Sequence, residues 1–202
     1  MKLTEEKTMI IRQATRDDAP HFVRVFELAS RGLAPYLWEQ SAGADGEAAR
    51  VALDSMHRKL TAAAPGTALV AEVDGKVAGG AITYVIGPDP EDIAEDEDPA
   101  IRALIELENR VPGTHYINAL AVFPAFQGQG IGSALLRQVE RESSSDRMSL
   151  TVEDMNTSAR RLYSRLGYVE VGAADVDPGG WETEAQQYFL MVKRRDREQA
   201  AA

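Results

Sequence analysis

The run from Ala121 to Leu136 constrains the fold more than any other part of the chain. Its apolar beginning is typical of a buried strand that ends at Val122, and its end is typical of an amphipathic helix that begins near Ile131. A short glycine-rich turn joins the two. The backbone N–H groups of such a turn point at one position, the helix dipole adds partial positive charge there, and glycines let a ligand come close. The run therefore predicts a site for the phosphate groups of a small molecule.

The composition narrows the classes of function. The chain has 202 residues, a net charge of −10 and no cysteine. The negative charge argues against broad nucleic-acid binding, and the lack of cysteine excludes disulfides, thiolate zinc sites and a cysteine nucleophile. The three histidines show no metal-ligand spacing, so we expect no metal site. No apolar run is long enough to span a bilayer. We predict a cytoplasmic protein with one domain over residues 1–193 and a charged, disordered tail over 194–202.

Hydrophobic periodicity predicts a mixed α/β sheet. Strand–helix–strand units lie beside a hairpin, whose two-residue turn is Asp74-Gly75. The expected elements are a strand over 9–14, a helix that follows a Thr15–Asp18 cap and stops near Gly32, a helix over 47–62, strands over 67–73 and 76–86, a helix over 100–109, a strand over 114–122, a helix over 131–142, a strand over 148–152, a helix over 156–166, and closing strands over 168–171 and 187–192.

Two segments fall outside this periodic pattern. Residues 31–46 predict an irregular loop with exposed aromatic side chains, Tyr36 and Trp38. Residues 88–99 hold seven acidic side chains, which is a break in composition and not the pattern of a core element. We place this acidic run in an insert over residues 88–110.

Two well-known phosphate motifs fit the glycine-rich turn poorly. A P-loop requires a Gly-Lys-Ser or Gly-Lys-Thr ending, which the chain lacks. A dinucleotide-binding fingerprint requires a third glycine where this chain has Ser133, and it lies on a first βαβ unit and not after a hairpin. The turn therefore predicts a phosphate site of another kind.

A second motif runs from Asn156 to Tyr168. Asn156 is a natural N-cap, and Gly167 suits the position after the end of a helix. Between them, Ala159 and Tyr163 share one helical face with Leu162 and Leu166. Taken alone, this motif also fits an ordinary capped helix in which Tyr163 is a core aromatic residue.

Together the two motifs closely resemble those of the GNAT (Gcn5-related) N-acetyltransferase superfamily. The family's phosphate loop is written Gln/Arg-x-x-Gly-x-Gly/Ala, and Gln127, Gly130 and Gly132 match it. The order of elements is similar from about residue 10 to residue 192. The acidic insert and the tail lie outside the shared pattern.

The resemblance implies a fold, a cofactor and a reaction. The fold would be a twisted, mostly antiparallel sheet with two splayed strands, flanked by about four helices. The cofactor would be acetyl-CoA, whose acetyl group passes to a primary amine by direct attack. The strand before the turn would pair with the pantetheine arm and the turn amides would hold the pyrophosphate. The cofactor positions implied in this way are Leu120, Ala121, Val122, Gln127, Gly128, Gln129, Gly130, Ile131, Gly132, Ser133, Asn156, Ala159 and Tyr163.

The resemblance implies a general acid but leaves the general base open. Tyr163 matches the family's usual acid, which protonates the departing thiolate. Some members carry a glutamate on the strand before the phosphate loop, and this chain has no carboxylate there. His115 on that strand, Glu108 just upstream and a water chain to bulk solvent all remain candidates for the base.

The acceptor amine is also open, and it could belong to a small molecule, a peptide or a protein. The acidic run could attract a cation, although charge runs are usually solvated loops. Tyr36 and Trp38 could cover an acceptor, pack internally or form a contact in a homodimer, a common state in the resembled family. A non-catalytic acyl-CoA sensor or interaction module is the alternative function.

Overall fold

A seven-stranded mixed sheet forms the centre of the protein. The computed structural model describes residues 8–44, 46–64 and 67–195. The strands are β1 (Met9–Gln13), β2 (Ala68–Val73), β3 (Lys76–Val85), β4 (His115–Val122), β5 (Arg147–Glu153), β6 (Val169–Asp175) and β7 (Gln187–Arg194). Their order in the sheet is β1-β2-β3-β4-β5-β7-β6. The pair β4 and β5 is parallel, and the other neighbours in this order are antiparallel. The predicted fold class is confirmed.

Helices cover both faces of this sheet. In the described residues they are α1 (Ala19–Ala29), α2 (Leu33–Ala42), α3 (Ala48–Ala62), α4 (Pro99–Glu108), α5 (Ile131–Glu142) and α6 (Thr157–Arg165), six where the family resemblance implied about four. Successive side chains of a strand point to opposite faces. Accordingly, Leu69 and Ala71 of β2 pack in a cluster with α5, whereas Ala68 and Val70 pack with α1 and α3. The strand is therefore buried on both sides.

The parallel strands β4 and β5 separate soon after they begin. They pair only at His115 with Met148 and at Tyr116 with Ser149. Beyond that point β4 stays paired with β3 as far as Val122, and β5 stays paired with β7 along its whole length. The gap between β4 and β5 is therefore held open by a well-paired strand on each side. It also leaves backbone N–H and C=O groups of β4 without a strand partner on the β5 side.

Leu33–Ala42 is helical, so the prediction of an irregular loop with exposed aromatics over residues 31–46 is wrong. Helix α2 occupies most of it, and Tyr36 and Trp38 are both partly buried. The hydroxyl of Tyr36 donates to Asp98 Oδ2 at 3.0 Å, and Trp38 packs against the cluster that contains Phe22. The glycines in this segment indicated a loop, but Gly32 and Gly43 lie at the two ends of α2.

The predicted acidic insert has two different parts. Residues 89–98 form no helix or strand, and none of them lines the cavity described below. Helix α4 follows, and its residues Ala100, Ala103 and Leu107 are buried against Leu33 and β7. The side chain of Asp98 caps this helix by accepting from the N–H of Ala100 at 2.9 Å. The second half of the insert is therefore an integral part of the core.

The last strand and its contacts extend to Arg195. Strand β7 continues to Arg194, and the backbone N–H of Arg195 donates to the carbonyl of Asp146 at 2.9 Å. The guanidinium of Arg195 also donates to the carbonyls of Ser143 and Ser145. Residues 196–202 of the predicted tail lie outside the described residues.

An ion pair fixes the connection between β1 and α1. The guanidinium of Arg12 donates to both carboxylate oxygens of Asp18 at 2.8 Å. Asp18 also accepts from the N–H and the hydroxyl of Thr15, which confirms the predicted capping box. The hydrogen bond from Arg12 is the main reason why the pKa of Asp18 falls from 3.8 to about 2.

Asp18→Asn is expected to lower the free energy of unfolding at pH 7 by about 1–2 kcal/mol. A depressed pKa in the folded state stabilises the protein above the unfolded-state pKa, and this contribution is lost as the pH falls. The difference between wild type and variant should therefore shrink from pH 4 towards pH 2 in chemical denaturation. Asp17→Asn, at the exposed neighbouring position, is the control. Equal effects of the two substitutions would remove the special role of Asp18.

Candidate active site

A cavity of about 820 Å³ opens where β4 and β5 separate. On one side, which we call the loop side, it is lined by the glycine-rich turn and the first turns of α6. On the other, which we call the far side, it is lined by the junction of α1 and α2, by α4 and by Tyr188 of β7. The separation of the two strands thus joins both faces of the sheet in one cavity.

The glycine-rich turn is open and leads directly into the first turn of α5. Gly128 and Gly130 have φ values of 75° and 80°, in the left-handed region that glycine adopts without strain. A Cβ atom at either position would meet no other atom within 4 Å. The first hydrogen bond of α5 runs from Ala134 N–H to the carbonyl of Gly130, so the N–H groups of the first helical turn have no partner within the helix. The turn is not plugged by side chains, and its chemistry suits an anion.

Gln127 connects this turn to the end of β4. Its side-chain amide donates to the carbonyl of Val122 at 3.0 Å. This bond holds the start of the turn against the strand that borders the gap. Among the cofactor positions implied by the sequence, only Gln129 does not line the cavity.

Helix α6 brings Asn156 and Tyr163 to the same cavity. The side chain of Asn156 caps the helix by accepting from the N–H of Ala159 at 3.3 Å, as the sequence predicted. Tyr163 lies two turns further on, is 8% exposed, and packs its ring against Tyr168. Burial raises the pKa of Tyr163 to about 12. A phenol in this state keeps its proton at neutral pH and can deliver it to a strongly basic atom.

Glu108 lies at the last residue of α4 and lines the far side of the cavity. Its Oε2 accepts from the hydroxyl of Tyr84 at 2.6 Å. Burial raises the pKa of Glu108, and the hydrogen bond from Tyr84 partly offsets this rise. The negative end of the helix dipole acts in the same direction as burial. The side chain is therefore a carboxylate whose pKa is shifted towards the range of a general base.

His115 is buried away from the cavity. Its Nε2 lies 2.7 Å from the hydroxyl of Thr83, and the residue is 3% exposed and absent from the cavity wall. Burial, with a smaller contribution from the charge of Arg195, lowers its pKa. His115 therefore does not border the cavity, and this position favours Glu108 over His115 as the candidate base.

Three further residues of the far side were missed in the sequence. Glu153 ends β5, Tyr188 lies directly opposite it on β7, and Arg31 lies between α1 and α2. The Nε of Arg31 lies 2.9 Å from Glu153 Oε2. Burial raises the pKa of Glu153, and the charge of Arg31 partly offsets this rise. A glutamate directly after the apolar strand 148–152 was the available signal for Glu153, whereas no local pattern marks Arg31 or Tyr188.

Solved structures of other proteins share this fold. PH1933 from Pyrococcus horikoshii OT3 gives a TM-score of 0.60 at 20% identity, over 94% of this chain and 99% of that chain. Ard1 from Thermoplasma volcanium gives a TM-score of 0.59 at 18% identity, over 94% of this chain and 99% of that chain. PaiA N-acetyltransferase from Thermoplasma acidophilum, in complex with coenzyme A, gives a TM-score of 0.57 at 14% identity, over 93% of this chain and 99% of that chain. At these identities the likeness shows the fold alone.

The fold and the cavity define an α/β protein in which a large cleft opens between two splayed parallel strands. The model of the acetyltransferase (GNAT) family matches residues 33–168, more than half of the chain, and the chain belongs to that family. Comparison with curated proteins finds no match. Within the described parts of the chain, every helix is too short or too polar to cross a membrane.

Proposed function

We propose that this protein is an N-acetyltransferase that transfers the acetyl group of acetyl-CoA to a primary amine by direct attack. One observation carries the proposal. A single cavity joins an open anion-binding turn, a buried phenol and a carboxylate with a raised pKa. These are the parts that direct attack requires: a place for the phosphates of the donor, a proton donor for the leaving group and a proton acceptor for the nucleophile.

The residues around the loop side would hold the cofactor. The amides at the start of α5 would bind the pyrophosphate, and the backbone of Leu120–Val122, which has no strand partner on the β5 side, would hydrogen-bond to the pantetheine arm in the manner of an added strand. Ala159 offers a small side chain in the cavity wall beside this path, and Asn156 lies at the start of the same helix. Bound there, acetyl-CoA would supply an activated acetyl thioester and a thiolate leaving group.

Two side chains would move the protons. An ammonium ion is not a nucleophile, so Glu108 would accept a proton at a carboxylate oxygen from the acceptor nitrogen. The hydroxyl of Tyr84 would hold that carboxylate in place. Tyr163 would donate its phenolic proton to the sulfur. No cysteine is available for a covalent enzyme intermediate, which fits a direct transfer.

Calorimetric titration with acetyl-CoA tests the binding part of the proposal. We expect a Kd below about 1 mM for the wild type. Gly130→Ala should weaken binding about tenfold or more, because its Cβ would project into the open turn at a φ of 80°. Gly75→Ala is the matched control, since it has a φ of 73° and equally open surroundings in a hairpin. It should lower the Tm similarly without changing the affinity.

Release of CoA thiol in the presence of a panel of amines tests the chemical part. An N-acetyltransferase should release thiol in proportion to acetylated amine, identified by mass. Binding of acetyl-CoA with no acetylation across small amines and peptides would instead support the non-catalytic sensor. Absence of heat with about 1 mM acetyl-CoA would contradict both interpretations.

A further inference from the structure

The guanidinium of Arg31 is fixed at the far side of the cavity but only partly used. Its Nε pairs with Glu153, whose side chain is 8% exposed, whereas the side chain of Arg31 is 48% exposed. The backbone of Arg31 has a φ of 51°, a conformation that non-glycine residues rarely adopt. Strain of this kind persists where surrounding structure holds a residue in place, and it is concentrated at ligand sites.

The hydroxyl of Tyr188 is a second, independent sign of a ligand at this side. The residue is 4% exposed and lines the cavity. Its Oη is buried and has no hydrogen-bond partner among the described residues. An unsatisfied buried hydroxyl costs about 1–3 kcal/mol, so such groups usually have a partner in the working protein. Tyr188 and Glu153 are directly opposite on neighbouring strands, which places the hydroxyl near the ion pair of Glu153 with Arg31.

The surroundings favour an anionic group over a second cation. The buried member of the ion pair is the carboxylate, and the member that a ligand can reach is the guanidinium. With Nε engaged by Glu153, the two terminal nitrogens of Arg31 form a planar fork that matches a carboxylate. Leu33, Leu37 and Leu104 add apolar surface to the far side, which also carries Glu108, the proposed base.

We propose that the acceptor amine carries a carboxylate, which the terminal nitrogens of Arg31 and the hydroxyl of Tyr188 bind together. Glu153 is the positioning residue that orients Arg31. This inference rests on the proposed N-acetyltransferase function and names its substrate class, an amino acid or a peptide with an acidic first residue. In a protein with a net charge of −10, a carboxylate would not enter this cavity without such a local cation.

Matched pairs of acceptors test the inference. Each pair consists of an amino acid and the amine that lacks its carboxylate, such as leucine with 3-methylbutylamine and phenylalanine with phenethylamine. The wild type should prefer the amino acid by about 10- to 100-fold in kcat/KM, the range of a hydrogen-bonded charge pair. Dipeptides with an acidic or a neutral first residue form a second arm and distinguish a peptide acceptor from a free amino acid.

Conservative variants separate recognition from folding. Arg31→Lys keeps the charge beside Glu153 but loses the planar fork of terminal nitrogens. The preference for the amino acid in kcat/KM should therefore fall about fivefold or more, as expected for a bidentate site. Tyr188→Phe removes a hydroxyl that has no partner in the fold, so it should keep the wild-type Tm and still reduce the preference. Arg24→Lys, an exposed arginine outside the cavity wall, is the control and should keep the full preference.

Calorimetric titration of the same pairs into CoA-loaded protein provides a readout that does not depend on turnover. Tighter binding of the carboxylate-bearing member, lost in Arg31→Lys, supports the inference. Acetylation of both members at equal kcat/KM would overturn it and leave the proposed function intact. Failure to bind acetyl-CoA or to acetylate any amine would overturn the proposed function. Equal binding of the two members of each pair in the titration would overturn the inference about the carboxylate.

Discussion

Tyr163→Phe is expected to lower kcat by about 100- to 10,000-fold, the usual contribution of a general acid or base. The phenol is buried in the cavity wall, and its pKa of about 12 keeps it protonated until a thiolate forms beside it. Phenylalanine preserves the ring and its contact with Tyr168, so the packing should survive. The Kd for acetyl-CoA should change by less than about twofold, because a proton donor to the leaving group acts mainly in the transition state.

Tyr168→Phe is the matched control for this substitution. Tyr168 is the aromatic neighbour of Tyr163 and is almost fully buried, but it lies outside the cavity wall and its hydroxyl donates to Glu140 at 3.3 Å. Its replacement should lower the Tm slightly and leave kcat unchanged. A wild-type kcat in Tyr163→Phe would remove Tyr163 from the acid role. A similar loss of kcat in both variants would point to packing and not to proton transfer.

Glu108→Gln is expected to lower kcat/KM by about 100- to 10,000-fold, because glutamine is similar in size and accepts a hydrogen bond but cannot take a proton. The wild-type pH profile should show a rise in kcat/KM as the pH increases through the pKa of Glu108, since only the deprotonated carboxylate can act as the base. Burial raises that pKa, so the rise should lie above the ordinary range of a glutamate. In Glu108→Gln this limb of the profile should disappear.

Two neighbouring substitutions make the test of Glu108 specific. Glu106→Gln changes an exposed carboxylate on the same helix that lies outside the cavity wall, and it should leave the pH profile unchanged. Tyr84→Phe removes the hydrogen bond that lowers the pKa of Glu108, so it should move the rising limb to higher pH. A pH profile of Glu108→Gln that matches the wild type would favour a water chain as the base.

Much of the fold could be predicted because its signals are local. The apolar run of β2, the turn at Asp74-Gly75 and the apolar stripe of α5 each depend on residues close together in sequence, and the structure has these elements near their predicted positions. The glycine-rich turn was also readable, because its backbone geometry depends on the few residues that form it. Helix α2 was missed for the same reason, since its glycine-rich ends resemble a loop and its burial depends on distant partners.

The far side of the cavity could not be predicted in the same way. Arg31, Glu153 and Tyr188 come from three distant parts of the chain, and only the pairing of β5 with β7 and the packing of the α1–α2 junction bring them together. The position of His115 also depends on the tertiary structure. Its usual pKa made it attractive as a base, but the fold buries its ring beside Thr83.

The sequence by itself determined the glycine-rich turn, the helix that carries Tyr163 and the class of fold, because short-range backbone preferences and hydrophobic periodicity specify them. The tertiary structure alone decided that Glu108 and Glu153 border the cavity, that His115 does not, and that Arg31 and Tyr188 line its far side. The physical reason is that burial and proximity across the sheet set the pKa and the accessibility of a side chain, and both depend on residues far apart in the chain.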